Sequence, residues 1–415
     1  MSEPTQHQQE SIDFIIDSII NKKDVIGFIA PGGCGKTFSL KHILSDSRLK
    51  DYEMTLTATT NKAASIMKSE GIKKAKTLHS AISTPIPTEM FKDLKMLFEL
   101  KRLKKEAKIT EKVKDFIDDI GVKEKNLFDY QNENVLLAEN NISAFDDRVF
   151  SHYSTVDYKG GVVFVDESSM LPTKSQYDDK MKMKAIGLDA VKKVFDTVIL
   201  VGDDAQLPPI KGKSSFNDIE KTVLTKNMRA DKSLLRLLDC ARNGDNLANF
   251  VPESGENVRI IPNVTGGYYD MESLIKKDVA HIVYRNNTRK GITKLIRGGL
   301  SHDPKVNEPI VYKGANIDEP GDSISKNEVG VFNGVLGEWG NHKQSINGRN
   351  FDEYNDGYTY LQYGYAITAH CAQGSSYDYV VVHLYDIPHF IDKETKRQWV
   401  YTAVSRARKG VVIVF

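Results

Sequence analysis

The sequence predicts an α/β protein built on parallel sheets with helices on both faces. Three observations lead there. Short apolar runs, "DVIGFIA" (24–30), "GVVFVDE" (161–167) and "TVILVGDD" (197–204), alternate with helix-like stretches. Runs that are apolar throughout belong to strands covered on both faces. A glycine-rich turn, "APGGCGKT" (30–37), joins the first run to the helix-like "KTFSLKHIL" (36–44). The alternation then restarts after about Leu224, so the chain holds more than one domain.

The elements follow in order. "MTLTATT" (54–60) reads as a second strand and "NKAASIMKS" (61–69) as a helix. From Pro85 to Asp157 the composition changes, with Met90, Leu94, Leu97 and Phe98 at helical spacing among lysines and acids. That stretch reads as an insertion. "HIVYRNNTRKGITKLIR" (281–297) restarts the strand–helix pattern. Residues 301–360 are rich in Gly, Asn and Asp and hold the short strands "EPIVYKG" and "VGVFNGVLGEW". The chain closes on two strong strands, "YDYVVVHL" (377–384) and "KGVVIVF" (409–415).

Bulk properties narrow the classes. The 415 residues are enough for two or three domains with a sizeable core. A net charge of +1 leaves any nucleic-acid binding to a local channel. Three widely separated cysteines, Cys34, Cys240 and Cys371, make neither a disulfide framework nor a zinc site. The polar start "MSEPTQHQQE" lacks a signal peptide's apolar core, and no apolar run approaches the roughly 18 residues of a membrane helix. A soluble, cytoplasmic protein is expected.

The glycine-rich turn nearly spells G-x-x-x-x-G-K-[ST], with Ala30 in place of the first glycine. Small residues let backbone N–H groups turn onto phosphate oxygens, and the following helix N-terminus adds partial positive charge. Gly32, Gly33, Cys34 and Gly35 form the cradle, Lys36 reaches the β- and γ-phosphates, and Thr37 holds Mg²⁺. The bland alternative is an ordinary turn with a solvated lysine. "VVFVDES" (162–168) places two carboxylates at a strand's C-terminal end, where doubly wound sheets bind ligands. Asp166 holds the metal through water, and Glu167 orients or deprotonates the attacking water. After the next strand comes "LVGDDAQLPPI" (200–210): Gln206 can hydrogen-bond the γ-phosphate or its water, and Pro208 and Pro209 stiffen the loop.

Together these segments resemble the superfamily 1 helicases, in particular the RecD-like (1B) branch with its small, Dda-like phage members. Nearly the whole chain takes part. "TQHQQESIDFI" is similar to the family's N-terminal glutamine motif and implies Gln8 as adenine reader. Motif I holds Lys36 and Thr37, motif II Asp166 and Glu167, and motif III Gly202, Asp203 and Gln206. "TATTNKAA" (57–64) resembles motif Ia, and "KTLHSAI" (76–82) the Thr-x-His segment that follows it. "LTKNMRAD" is similar to motif IV and nominates Arg229 for a phosphate contact. "YAITAHCAQGSSYDYVVV" (365–382) resembles motif V, although Cys371 stands where lysine is usual, and Gly374 is placed near the nucleotide. "VYTAVSRARKGVVIV" (400–414) is similar to motif VI and makes Arg406 an arginine finger.

The resemblance implies two RecA-like parallel-sheet P-loop NTPase domains with a helical or hairpin insertion (1B) and a small β subdomain (2B). Domain 1A spans 1–84 and 158–224, 1B spans 85–157, 2A spans 225–300 and 361–415, and 2B, which also walls the channel, spans 301–360. It implies ATP and Mg²⁺ as cofactors and hydrolysis at the 1A/2A interface, with Lys36, Asp166, Glu167, Gln206, Arg229 and Arg406 as catalytic groups. It implies single-stranded DNA and its duplex junctions as partners, gripped by Thr59, Lys62, His79, Thr368, His370 and Gln373. The implied activity is a monomeric DNA helicase moving 5′→3′ in replication or recombination, in a phage or bacterial setting. The alternative is a DNA or RNA translocase that displaces proteins without efficient unwinding. His79 has a second reading as a capped core histidine, Arg406 as a helix-face ion pair. A duplex-splitting pin is expected in the insertion, with Phe128, Tyr130, Phe145, Phe150 and Tyr153 as available aromatics; any one of them can instead pack the insertion's helices.

Overall fold

A computed structural model describes residues 3–85, 152–154, 158–178, 183–209, 212–226, 234–262, 279–299, 304–312, 329–336, 343–346, 349–352 and 361–415. Arg229 and the pin candidates Phe128, Tyr130, Phe145 and Phe150 lie outside these residues. Tyr153 lies within a described strand, but only its backbone is described. Contacts divide the chain into two compact units. The first is Met1–Ile29, Thr37–Gly202 and Pro208–Val223; the second is Ala30–Lys36, Asp203–Leu207 and Leu224–Phe415.

The first unit opens with helix α1 (Gln6–Ile20). Thr5 and Gln8 form a capping box at its start: the Thr5 side chain accepts from the Gln8 amide, and Gln8 Oε1 accepts from the Thr5 amide at 3.0 Å. Ile12, Ile15, Ile16 and Ile19 recur at helical spacing and are all buried. There follow β1 (Val25–Ile29), α2 (Lys36–Leu44), β2 (Met54–Ala58), α3 (Asn61–Ser69), β3 (Lys76–Thr77) and α4 (Leu78–Ile82). Strands β4 (Ser83–Pro85) and β5 (His152–Ser154) pair antiparallel, so the segments on either side of residues 86–151 run side by side within this unit. Next come β6 (Val162–Asp166), the short pair β7 (Gln176–Asp178) and β8 (Met183–Ala185), α5 (Leu188–Lys192), β9 (Thr197–Gly202) and β10 (Glu220–Val223).

Six of these strands form one sheet in the order β10-β1-β9-β6-β2-β3, and every pairing is parallel. Val162–Val165 and Val198–Val201 are buried, as strands covered on both faces must be. The register sets Ile29 beside Gly202 and Ala58 beside Asp166, so the loops after β1, β9, β6 and β2 depart from one edge.

The second unit contains α6 (Leu235–Asn243), β11 (Val258–Ile261), β12 (Val279–Val283) and α7 (Asn286–Arg297). An antiparallel sheet follows, built from β13 (Pro309–Tyr312), β14 (Val329–Leu336), β15 (Lys343–Ile346), β16 (Arg349–Asp352) and β17 (Leu361–Tyr363) in the order β16-β15-β14-β13-β17. Strands β13 and β14 are the two read in the Gly/Asn/Asp-rich stretch, and β15, β16 and β17 extend the sheet beyond that reading. The unit closes with β18 (Ala366–Thr368), α8 (Ala369–Ala372), β19 (Tyr377–His383), α9 (Lys393–Val404) and β20 (Ala407–Val414). A second parallel sheet runs β11-β20-β19-β12-β18. Trp399, Val380, Val382, Ile282 and Ile413 are central to its core. The Arg297 Nε–Glu308 Oε1 pair at 2.6 Å ties the end of α7 to the first strand of the antiparallel sheet, with the guanidinium 4.0 Å from the centre of the Tyr363 ring.

Both parallel sheets match the fold class that the sequence predicts. The grouping of Ala30–Lys36 and Asp203–Leu207 differs from the expected boundaries, which keep these loops with the strands that precede them. For Asp203–Leu207 the cause is a set of hydrogen bonds from α6, α9 and the end of α8, described below.

Two histidines lie inside the second parallel sheet. His281 Nδ1 and His383 Nε2 are 3.1 Å apart, and both rings are buried. One N–H fits between the facing nitrogens, and a further proton on either ring would place a cation in the core. Burial holds His281 down to about 4, and burial together with the charge of His281 holds His383 well below its ordinary value. The folded chain therefore binds fewer protons than the unfolded chain. Stability is full above the unfolded value of about 6.5 and is lost as pH falls toward 4. In urea unfolding, the midpoint should drop between about pH 7.5 and about pH 5, and His383→Gln should shrink that drop. An equal drop in both proteins would place the acid sensitivity elsewhere.

Candidate active site

The turn between β1 and α2 has the backbone that a phosphate cradle needs. Gly33 (φ 88°) and Gly35 (φ 86°) are left-handed, where an L side chain is strained. Lys36 and Thr37 are the first residues of α2, so the turn runs straight into a helix N-terminus. This arrangement fits a triphosphate. Gly32 is not left-handed, so the conformational demand falls on two glycines rather than the three that the pattern suggests. The Cys34 amide donates to Pro31 O at 3.1 Å and closes the turn, while its thiol is buried. Ala30 is also buried, which accommodates the methyl group at the departure from the motif.

Asp166 is the last residue of β6, and Asp166 Oδ1 accepts from the Glu167 amide at 2.8 Å. Glu167 is left-handed (φ 54°, ψ 36°), a conformation that costs a non-glycine residue about 1 kcal/mol. Neighbouring groups hold it there. The Thr59 hydroxyl donates to Glu167 O at 3.0 Å, and the Thr59 amide donates to Asp166 O at 3.1 Å. The buried Ser168 hydroxyl lies 2.5 Å from Val165 O and 2.8 Å from Val201 O, bridging the ends of β6 and β9. Strain maintained at a strand-end carboxylate marks a position where geometry matters more than stability.

The loop after β9 is held within the second unit. Asp203 is buried: its Oδ1 accepts from Arg242 Nη1 at 2.8 Å and its Oδ2 from Tyr401 Oη at 2.7 Å. The buried Leu207 is fixed on both backbone groups, its amide donating to Thr402 Oγ1 at 2.9 Å and its carbonyl accepting from Gln373 Nε2 at 3.3 Å. Between them lies Gln206, also buried, whose Oε1 has no hydrogen-bond partner among the described residues.

Several nominated residues have work inside the fold. Gln8 spends its carbonyl oxygen on the capping box of α1. Thr59 ties β2 to β6. Thr368 caps α8 by accepting from the Cys371 amide at 3.4 Å. His370 is largely buried, and burial holds its imidazole below the ordinary value. Lys62 and His79 are half-buried in α3 and α4. Gly374 is left-handed (φ 71°) with open space around it. Arg406 follows α9, and its buried guanidinium donates to Thr402 O (3.1 Å), Ser375 O (3.3 Å) and Ser405 Oγ (2.9 Å). It makes none of the ion pairs found among the described residues, so the helix-face ion-pair reading of Arg406 has no support there.

Sequence reading missed Arg242, Tyr401, Thr402 and Ser168. Tyr401 and Thr402 lie in the motif VI stretch only a few residues before Arg406, which was a usable signal. Arg242 sits in an amphipathic helix and carried none.

Comparison with known proteins agrees with this architecture. Residues 15–212 match the AAA domain family, and residues 363–414 match the UvrD-like helicase C-terminal domain. Neither match alone covers half of the chain; together they accord with the resemblance of its sequence to the superfamily 1 helicases. Its fold is similar to that of Pif1 helicases. A Bacteroides Pif1 helicase in complex with ADP-AlF3 and ssDNA aligns at TM-score 0.51 and 14 % identity, over 100 % of this chain and 92 % of that one. A Pif1 structure describing unwinding at forked dsDNA aligns at TM-score 0.50 and 17 % identity, over 99 % and 92 %. An uncharacterized Methanocaldococcus jannaschii protein, MJ1519, is 22 % identical across 99 % of this chain; the chain spans 38 % of that relative's length.

The left-handed backbone at Glu167 yields a prediction. Glu167→Gly should raise the thermal midpoint, by at most about 1 kcal/mol of added stability. A lowered midpoint would mean that the Glu167 side chain contributes more to folding than its backbone costs.

Proposed function

We propose that the chain is an ATP-dependent DNA helicase that moves 5′→3′ along single-stranded DNA and couples hydrolysis to duplex unwinding. The observation that supports this most is the Asp166–Glu167 pair, held at a strand end in a strained backbone conformation. A nucleotide switch has no need of a fixed carboxylate beside the metal ligand; a hydrolase does.

Each residue then has a role. The amides around Gly33 and Gly35 and the Lys36 ammonium bind the β- and γ-phosphates. Thr37 and Asp166 would hold Mg²⁺, which would supply positive charge to the phosphates. Glu167 accepts a proton from the attacking water, and Gln206 Oε1 accepts its other hydrogen bond. Arg406 and Arg229 supply positive charge to the transition state, an effect worth on the order of 10³–10⁵ in rate. For Arg406 that role requires release from Thr402 O and Ser375 O. Lys62, Thr368 and the neighbourhood of His370 grip the strand without reading its sequence. The Bacteroides Pif1 structure of similar fold, in complex with ssDNA, supports that partner.

Lys36→Ala should abolish hydrolysis, whereas Glu167→Gln should retain ATP binding and lose turnover. Turnover by Glu167→Gln at the parent rate would remove Glu167 from the base role. Strand displacement on 5′-tailed and 3′-tailed duplexes sets the polarity, with the 5′-tailed substrate opened. ATP-driven stripping of a bound protein without displacement of either duplex would favour a remodelling translocase.

A further inference from the structure

We propose that Arg242 and Tyr401 are positioning residues for Gln206: they lock the Asp203–Leu207 loop so that the Gln206 amide is fixed toward the attacking water. The inference rests on the hydrolysis reading above and extends it to residues that do not touch nucleotide.

The loop is held at both ends. At its start, Asp203 O accepts from the Gln206 amide at 3.2 Å, and Asp203 Oδ1 accepts from the Ala205 amide at 3.2 Å, a compact turn. Arg242 grips that turn from outside with both arms, Nη1 to Asp203 Oδ1 at 2.8 Å and Nη2 to Asp204 Oδ1 at 3.0 Å. Tyr401 closes the far side, its hydroxyl donating to Asp203 Oδ2 at 2.7 Å and its ring centre 5.4 Å from the Arg242 guanidinium. At the other end, Thr402 and Gln373 hold Leu207. Gln206 is therefore placed between two anchored points, with a buried carbonyl oxygen that has no partner among the described residues.

Energetics favour a positioning role over a stabilising one. Burial is the largest influence and works against the Arg242 charge, but Asp203 and Tyr401 together outweigh it and raise the guanidinium above its ordinary value. Buried ion pairs contribute little net stability, because desolvation consumes most of their attraction. What such a pair supplies is direction. A planar fork across two successive carboxylates admits one orientation of the backbone between them. Thr402 carries the same restraint further: its hydroxyl accepts from Leu207 while its carbonyl accepts from Arg406 Nε at 3.1 Å. The loop bearing Gln206 and the side chain of Arg406 are thus hung from one residue.

The test is a double-mutant cycle on ATP turnover with saturating oligo-dT. It compares the unmodified chain with Tyr401→Phe, Arg242→Lys, Arg242→Met, Gln206→Ala and the Arg242→Met/Gln206→Ala pair. Arg242→Met should lower kcat on the order of 10- to 100-fold, with KM for ATP within about twofold. Arg242→Lys, which keeps the charge but not the fork, should recover part of the loss. With Gln206 already removed, Arg242→Met should cost nothing further, because nothing remains to be positioned. Additive losses in the pair, or a change in KM alone, would overturn the inference. Tyr401→Phe removes one oxygen and keeps the packing, so it decides the matter if Arg242→Met does not fold: an unchanged kcat there also overturns it. Absence of turnover in the unmodified chain would overturn the hydrolysis reading and this inference with it; turnover that the variants leave unaltered would overturn this inference alone.

Discussion

Parallel pairing is the constraint on which the rest depends. A parallel sheet finishes its strands along one edge, and the register of the first unit makes that edge tight: Ile29 ends beside Gly202, and Ala58 beside Asp166. The phosphate turn, the Gln206 loop and the Thr59 segment are each the first residues after such a strand, and the carboxylate pair straddles the end of β6. None of them needs a long excursion to reach its place. The apolar runs that bury the strands thereby also set where the chemistry can occur.

Much of this was legible in the sequence because it rests on short-range patterns. An apolar run, a glycine-rich turn and a helix-like segment in succession define β1, the cradle and α2, and the structure adds only which glycines are left-handed. The strand ends at Asp166 and Gly202 follow from composition in the same way. Ala30 was legible as a departure; that its methyl group is buried was not, since that depends on packing across the sheet.

What stayed hidden is how polar groups are spent. A threonine at a strand end reads as a ligand contact, yet the Thr59 hydroxyl is committed to Glu167 O. Gln8 reads as a base reader, and its carbonyl oxygen caps a helix. Arg406 reads as a finger, and its guanidinium is satisfied by two carbonyls and a hydroxyl. In each case the residue type was right for the nominated role, but its partner lies far along the chain or on a backbone atom, which sequence pattern does not report. Arg242 is the converse: a residue with no local signature that meets two carboxylates far back along the chain.

The antiparallel pairing of β4 with β5 has a consequence of a different kind. Thr84 and Tyr153 are neighbours, so residues 86–151 are inserted at a point where the chain's two ends are already joined. Lengthening a loop whose ends are fixed together costs little, about 0.6 kcal/mol for each doubling. A sheet that keeps its edge intact can therefore accept, enlarge or exchange whatever is spliced there without refolding around it.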